Sequence, residues 1–520
     1  MSRRIEKPDV LILGSGFGGS LLALILLRAG KSVVLLDRQK HPRFAIGESS
    51  TPLADKTLAA VARRWSIPEL LPLTHWGTWK QTYPHLLCGR KRGFTYFDQT
   101  DLTDVSPASF DHRRLLVSAS VDNEHSDTHW LRSDVDQFLF QLAQQSGAVT
   151  FEGGRYELQH GPGRWVATGT GADTEFFVDA PFAVDATGSG GGLLKFLGIP
   201  DQTQELRTNS RSVFAHFVDT QTCEQLLRAS RIDVERFPFA CDDAAVHQVL
   251  PDGWMWQLRY DDNSLSAGFM IDQRTDQRAG ERVESQTVPS TRRDRAPVFA
   301  TAQDEWDWRV ARSAFLSRQF AGSFVNRPAS GLTTTQRIQR LTTQAAGTDW
   351  AAITNTAGFI DPLHSTGIAH TLFSVARLAE ILMDDDSSTR TERLQRYSAG
   401  LIEEIRCVDE LVEGCYEGLP EFSLWCLWGM LYFAAATSME QAGNDAFSSV
   451  SFLRANDPAF RQLLREGRER LTAAKRDGAK SVEHFAEWIQ KAIEPWNKVG
   501  LFDFECDNLY SSTAAPVDAW

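Results

Sequence analysis

Short apolar runs divided by glycine-bearing turns open the chain. Asp9 to Leu13 leads through Gly14, Gly16 and Gly19 into an apolar stretch of about a dozen helical residues, and Lys31 to Asp37 forms a second apolar run ending in an acid. Runs of this length, joined by a helix, predict a strand–helix–strand unit of a parallel sheet. The loop from Arg38 to Pro52 then leads to a helix over about Leu53 to Trp65. The aromatic stretch from Thr74 to Phe97 ends in strand-like alternation. A helix follows from Trp130 to Gly147, capped by Ser133 and stopped by glycine. Short strands are expected over 148–152, 164–168 and 175–178. Pro181 to Gly188 reads as a strand returning to the first sheet and ending in the glycine-rich turn Gly188 to Gly192.

From about 205 to 275 the pattern becomes apolar–polar alternation with turns, which predicts an antiparallel sheet inserted into the first domain. In Gly253 to Tyr260, a period of two places Trp254, Trp256, Leu258 and Tyr260 on one face, either as core or as the wall of a site. Asp272 to Arg295 is polar and reads as a surface excursion, Trp306 to Phe320 as a helix, and Trp350 to Gly358 as the last strand. After Phe359 to Gly367 a helix runs to about Met383, and the chain from Thr391 onward is mainly helical with a polar tail. The longest apolar run, Phe422 to Ala436, is shorter than the roughly 20 residues of a spanning helix. It reads as a buried helix, with the lining of a substrate pocket by Trp425 and Trp428, or contact with a membrane surface, as the alternatives.

These elements describe an α/β chain: a Rossmann-like dinucleotide-binding domain over 1–204 and 331–385, an inserted antiparallel-sheet domain over 205–330 expected to take the substrate, and a helical region over 386–520. Length and a hydrophobic content of 42% suit two or three packed domains. The net charge of -13 argues against nucleic acid or an anionic membrane as the main partner. The seven cysteines include no C-x-x-C pair, which fits reduced thiols and gives no metal-ligand spacing. With no signal-peptide pattern at the N-terminus, the expected location is the cytoplasm.

The chemistry starts at the glycine loop. Gly14 allows the tight turn, Gly16 lets backbone N–H groups approach a pyrophosphate, Gly19 permits close helix packing, and Asp37 is placed to accept from an adenosine ribose. Gly47-Glu48-Ser49-Ser50-Thr51-Pro52 taken alone is a turn and helix start. Arg132, just ahead of a helix, meets either a cofactor or a surface carboxylate. Asp185 and Gly188 end a strand of the same sheet. Asp361 and Pro362 precede a helix whose first N–H groups suit the electron-rich end of a reduced flavin or a small anion. Together they point to FAD as the resident cofactor, with Asp361 on its ribityl chain.

With these residues in place, the chain resembles the flavin-dependent halogenases, which share the fold of para-hydroxybenzoate hydroxylase-like FAD monooxygenases. The resemblance spans roughly residues 8 to 380. It rests on Gly14 to Gly19, on Gly47-Glu48-Ser49 to Pro52, and on Phe359-Ile-Asp-Pro362-Leu-His-Ser365-Thr-Gly367, which fits the family's F-x-x-P-x-x-S-x-G pattern fully. Trp254-Met-Trp256 keeps two tryptophans of a W-x-W-x-I-P motif, with Leu258-Arg259 in place of Ile-Pro. The resemblance implies that FADH2 and oxygen form a flavin hydroperoxide and that halide is held at the Thr366 and Gly367 amides. Hypohalous acid then travels to a lysine that directs it onto an electron-rich aromatic. Lys91, in Lys-Arg-Gly-Phe-Thr-Tyr-Phe97, resembles the lysine of phenol and pyrrole halogenases, and Lys80, in Gly-Thr-Trp-Lys80, that of tryptophan halogenases; Lys91 is preferred. His364 stands where tryptophan halogenases carry a glutamate, either as a base or as a pocket wall, which turns the expectation from free tryptophan toward a phenol, pyrrole or other indole.

No second nucleotide-binding unit is present, so a separate flavin reductase is the expected partner. A carrier-tethered substrate is one form the aromatic can take. Two other functions are compatible with the same residues: an FAD monooxygenase that takes hydride from NAD(P)H and hydroxylates its substrate, and a catalytically idle flavin-binding scaffold.

Overall fold

A computed structural model describes residues 3–101, 106–107, 109–171, 174–274, 297–384, 386–441, 451–503, 506–511 and 513. Continuous apolar runs become the strands of a five-stranded parallel sheet, because helices and neighbouring layers bury both of its faces. Its order is Trp350–Ala352, Phe182–Asp185, Val10–Leu13, Val33–Asp37 and Val149–Glu152. The Phe17–Arg28 helix connects the first two strands in sequence and is buried along most of its length. Beside this sheet, Arg155–Gly161, Arg164–Gly171 and Thr174–Ala180 form an antiparallel meander, extended by Arg3–Glu6 in parallel.

The alternating region forms the largest sheet. Its order runs Phe324–Arg327, Ser210–Val218, Leu265–Asp272, Gly253–Arg259, Ala245–Leu250, Gly93–Asp98, Arg114–Ser118 and Leu509–Tyr510, with Thr333–Thr334 pairing off Ser210–Val218. The sheet therefore reaches outside the 205–330 interval, and it is mixed: Ala245–Leu250 pairs in parallel with Gly93–Asp98, and Leu509–Tyr510 in parallel with Arg114–Ser118. Period two sorts its side chains onto two faces. Phe94, Tyr96, Trp254, Trp256 and Leu258 join the core shared with the parallel sheet and the C-terminal helices. Phe97, Val213, Met255 and Phe269 join a second core, which also takes in Trp306 and Phe315.

Several local expectations change. The helix expected over 306–320 is two helices, Ala302–Ala311 and Ala314–Gln319, because Ser313 restarts the second by accepting from the Leu316 N–H at 3.2 Å. The strand expected over 350–358 ends at Ala352; Thr354 then ties its N–H to Ser374 and its hydroxyl to the His370 carbonyl, forming the single turn Thr354–Ala357. The Arg132–Gln145 helix has Leu131, not Ser133, at its N-cap, and Ser133 bonds Asp134 instead. Of the polar excursion, residues 275–295 lie outside the described residues, as do 514–520 of the tail.

The C-terminal region comprises Ser387–Gly418, Phe422–Glu440, Pro458–Asp477 and Ala479–Ala492. Among the described residues, Phe422–Glu440 alone is long and apolar enough to cross a membrane, at 19 residues and a mean hydropathy of 1.3. Four residues longer than the apolar run at its start, it lies mostly buried inside the protein. Close packing explains its composition: Gly414 of the preceding helix faces the Trp428 indole so tightly that a Cβ there would lie 2.0 Å from it.

Candidate active site

The glycine loop is shaped by its neighbours. Gly14 has φ +97°, and a Cβ on it would lie 2.4 Å from the Ala186 carbonyl oxygen; one on Gly19 would lie 2.0 Å from that of Gly14. Around Gly16 there is room, since the nearest atom to a Cβ would be an Asp136 carboxylate oxygen at 3.5 Å. The Phe17–Arg28 helix that begins here has neither a side-chain cap nor an acid in its first turn, so its N–H groups stay available to a phosphate. A roomy, uncapped helix start whose own first turn holds no acid suits the pyrophosphate of FAD, and these residues fit the group.

Asp37 is already engaged. Its Oδ2 accepts from the Ser15 N–H at 2.8 Å and hydroxyl at 2.9 Å, and pairs with Arg43 at 2.6 Å. Burial works to raise this carboxyl, but Arg43 and the Ser15 N–H outweigh it and hold it below the usual range. Arg132 grips Asp136 with two bonds of 2.8 and 2.9 Å and donates to the carbonyls of Ile46 and Gly47, tying the 46–48 loop to the helix it begins. Asp185 accepts from Thr187 and from the Leu193 N–H at 2.6 Å, which folds the Gly188 turn; the Gly188 N–H in turn meets the Thr356 hydroxyl at 2.9 Å.

The second end of the site joins motifs far apart in the chain. The Ser365 hydroxyl donates to that of Ser49 at 3.0 Å, which brings Gly47-to-Pro52 against Phe359-to-Gly367 across 316 positions. Ser365 is left-handed at φ 52° and turns the chain into the Thr366–Leu382 helix, whose start, with Thr366 and Gly367, has no side-chain cap. Glu48 is buried against His216 at 2.7 Å, with Tyr260 donating at 2.8 Å and Ser266 at 2.7 Å. Burial would raise the Glu48 carboxyl; these partners overcome it and hold it low. Asp361, next to Pro362, accepts from Ser210 at 3.0 Å, from Tyr416 at 2.9 Å and from the Leu363 N–H at 3.1 Å, and burial still pushes it up to about 7.

The two lysines part company. Lys91 ends the strand Cys88–Lys91, which pairs antiparallel with Asp127–Trp130 so that Lys91 stands directly opposite Asp127. Its ammonium is fully buried, donates to the Ser50 carbonyl, lies 3.9 Å from Asp127 Oδ2 and sits 4.2 Å from the Phe94 ring centre. Burial lowers its pKa to about 8. Lys80 instead lies on the short helix Trp76–Thr82, half-exposed, paired with Asp261 at 2.8 Å, a bond that raises its pKa.

A narrow cleft is lined by Phe94, Val117, Tyr432, Phe433 and Glu440, and Lys91 reaches it only through the Phe94 ring that its ammonium packs against. His364 stacks flat on Tyr432, the ring centres 4.3 Å apart, and burial lowers its pKa to about 3, so it is neutral. Trp254 donates to the Tyr416 hydroxyl at 3.0 Å and Trp256 to Ser266 at 3.3 Å. Trp428 donates to the Leu411 carbonyl at 2.8 Å, and Trp425 lies edge-on to Tyr416; all four indoles are buried. Among the described residues no His, Cys, Asp or Glu cluster has the arrangement of a metal site.

Asp55, Asp127 and Glu440 around Lys91, and His247 and Tyr416 beside the Phe359-to-Gly367 loop, were not singled out in the sequence. Asp127 becomes visible only through strand register. Glu440, a lone acid ending an apolar helix, carried a local signal.

Residues 128–418 match the family model described as tryptophan halogenase. Over 442 residues the chain is 26% identical to the tetracycline 7-halogenase of Kitasatospora aureofaciens, covering 82% of this chain and 72% of that one. It is also 26% identical to the monodechloroaminopyrrolnitrin halogenase PrnC of Pseudomonas fluorescens, over 80% of this chain and 69% of the relative. In fold it is similar to the crystal structure of halogenase PltM in complex with phloroglucinol and FAD, with a TM-score of 0.79 at 22% identity over 98% of this chain and 99% of that one. With its dinucleotide loop, its serine-linked motifs and this family match over more than half its length, the chain belongs to the tryptophan halogenase family and is a flavin-dependent halogenase, an oxidoreductase using FAD, halide and molecular oxygen.

Proposed function

We propose that the protein halogenates an electron-rich aromatic of the phenol, pyrrole or indole type, with Lys91 as the residue that meets the halogenating oxidant. The observation that carries this is the position of Lys91: a fully buried ammonium at a strand end, against the Phe94 ring that lines a narrow aromatic cleft, and bonded to the Ser50 carbonyl next to the Ser49–Ser365 link. The residues that would hold the ADP half of FAD are Gly14, Gly16, Gly19, Asp37, Arg132, Asp185 and Gly188. Glu48, Ser49, Asp361 and Pro362 would hold the flavin half, and the Thr366 and Gly367 amides the halide. Reduced FAD, when bound, supplies the activation of oxygen that oxidises halide to hypohalous acid.

Lys91 then donates a hydrogen bond to the oxygen of hypohalous acid, drawing electrons away from the halogen. As the ring carbon takes the halogen, the Lys91 proton passes to the departing hydroxide to make water, and the neutral amine takes the proton displaced from the ring. A lysine with pKa near 8 serves both steps, since it is charged at neutral pH and becomes a usable base once it has given its proton up. His364 and Tyr432 act as a flat wall, and Trp254 and Trp256 belong with Tyr432 to the same buried core.

We place the protein in the cytoplasm with a separate flavin reductase as its source of FADH2. The test supplies chemically reduced FAD, oxygen and bromide with free and carrier-tethered phenols, pyrroles and indoles, phloroglucinol among them, and reads brominated product by mass spectrometry. Bromination lost in Lys91→Ala and kept in Lys80→Ala is the expected result. Hydroxylated product driven by NADPH without halide would overturn the reading.

A further inference from the structure

Lys91 does not share its burial with a single counter-ion. From the strand opposite come Asp127 and His129; from the Pro52–Arg64 helix come Asp55 and Lys56; from Ala245–Leu250 comes His247; and from Phe422–Glu440 come Tyr432 and Glu440. The two histidines are neutral, with pKa values lowered to about 3 and about 4 by burial. Lys56 donates to the Glu440 backbone carbonyl at the far side of the group.

The two aspartates stand out. Their carboxyls lie within hydrogen-bonding reach of one another, and both are almost wholly buried. Asp55 Oδ1 and Asp127 Oδ2 have no N–H or O–H donor among the described residues. Two buried carboxylates this close do not both stay ionised beside one ammonium, and one proton held between them lowers the charge of the pair to one. Ser50 fastens the pair from both sides: its hydroxyl donates toward Asp55 at 3.4 Å and accepts the Thr128 N–H at 3.2 Å, while its carbonyl takes the Lys91 bond.

We propose that Asp55 and Asp127 are positioning residues that share one proton, so that the pair presents Lys91 with a single negative charge that keeps its ammonium charged and held at the Ser50 carbonyl. Two charges would hold the proton too tightly for transfer to hydroxide, and none would leave a buried lysine uncharged. Burial raises the Asp127 carboxyl to about 6 and the Asp55 carboxyl well above its usual range, and Asp127 in turn draws the Lys91 pKa back upward. This inference rests on Lys91 meeting the oxidant.

The test counts charges. In full-length protein carrying 13C-lysine, the Lys91 side-chain resonance, identified by its loss in Lys91→Met, is titrated in the wild type, Asp55→Asn, Asp127→Asn and the double variant. Each single variant keeps one carboxylate, so its midpoint is expected close to that of the wild type. The double variant keeps neither carboxylate of the pair, with Glu440 the one acid left near Lys91 among the described residues, and its midpoint is expected to fall by about one pH unit or more, a tenfold weaker hold on the proton. A stepwise fall through the single variants, or no fall in the double, would overturn the proposal. Should the double variant not fold, infrared difference spectra of the wild type against each single variant at pH 8 decide, since Glu440, raised to about 8 by burial, contributes a protonated-carboxyl stretch of its own: a stretch that appears in both differences supports the shared proton, and its absence from either sinks it. Halogenation retained in Lys91→Ala would end the functional reading of Lys91, whereas the titration and the infrared band judge the pair independently.

Discussion

Lys80 lies on the short helix Trp76–Thr82 and Lys91 ends the strand that follows it, yet the protein treats them in opposite ways. Lys80 faces Asp261 at the surface, in contact with water, and its proton is held more firmly than in a free lysine. Lys91 lies at the end of a strand with no exposed surface, and desolvation loosens its proton by more than its acidic neighbours tighten it. Residue type is the same, and both have a carboxylate within 4 Å. The difference lies in the dielectric around each ammonium, and it separates a surface ion pair from a group able to give and retake a proton near neutral pH.

The largest effect that would sharpen this contrast is on the rate. Lys91→Ala is expected to lower the bromination rate by a factor on the order of 10²–10⁴, the usual range for losing a general acid, while reduced FAD continues to react with oxygen. A rate within threefold of the wild type would end the distinction between the two lysines.

Next comes pH. Halogenation that needs the Lys91 ammonium should fall as pH rises through about 8. The sign for stability runs the other way. With its folded pKa below that of a free lysine, Lys91 is protonated more often in the unfolded chain between about 8 and the ordinary lysine value of 10.5, so stability rises with pH across that window. Urea unfolding of the wild type against Lys91→Met from pH 7 to 10 should show the gap moving in favour of the wild type; a flat difference would contradict the buried, loosened proton.

The smallest effect belongs to the surface pair. Asp261→Asn removes the partner of Lys80 and an acceptor of the Trp76 indole N–H at 3.1 Å, and should cost about 0–1 kcal/mol with bromination within twofold of the wild type. Loss of bromination there would move the chemistry to the Lys80 side.

Where apolar spacing and turn chemistry act locally, the elements were legible. The parallel strands at Val10–Leu13 and Val33–Asp37, the helix at Pro52–Arg64 and the period-two face of Trp254, Trp256 and Leu258 all follow from neighbours within a few positions. Local reasoning failed where a side chain found a distant partner. Thr354 leaves its strand for Ser374 and His370, and Gly93–Asp98 joins a sheet whose next strand begins at Ala245, a parallel pairing that turn signals do not announce.

By itself, then, the sequence determined the cofactor end of this protein: a glycine that must turn at φ +97°, a glycine that must let a helix approach, and an acid at a strand end are requirements of short-range geometry, written in adjacent residues. Only the tertiary structure decided the reactive end. The burial of Lys91, its register opposite Asp127, the approach of Asp55 from a helix and Glu440 from another, and the meeting of Ser49 with Ser365 are properties of chain segments far apart in sequence. A lysine's hold on its proton depends on what surrounds it in three dimensions, and that surrounding exists only once these segments have packed together.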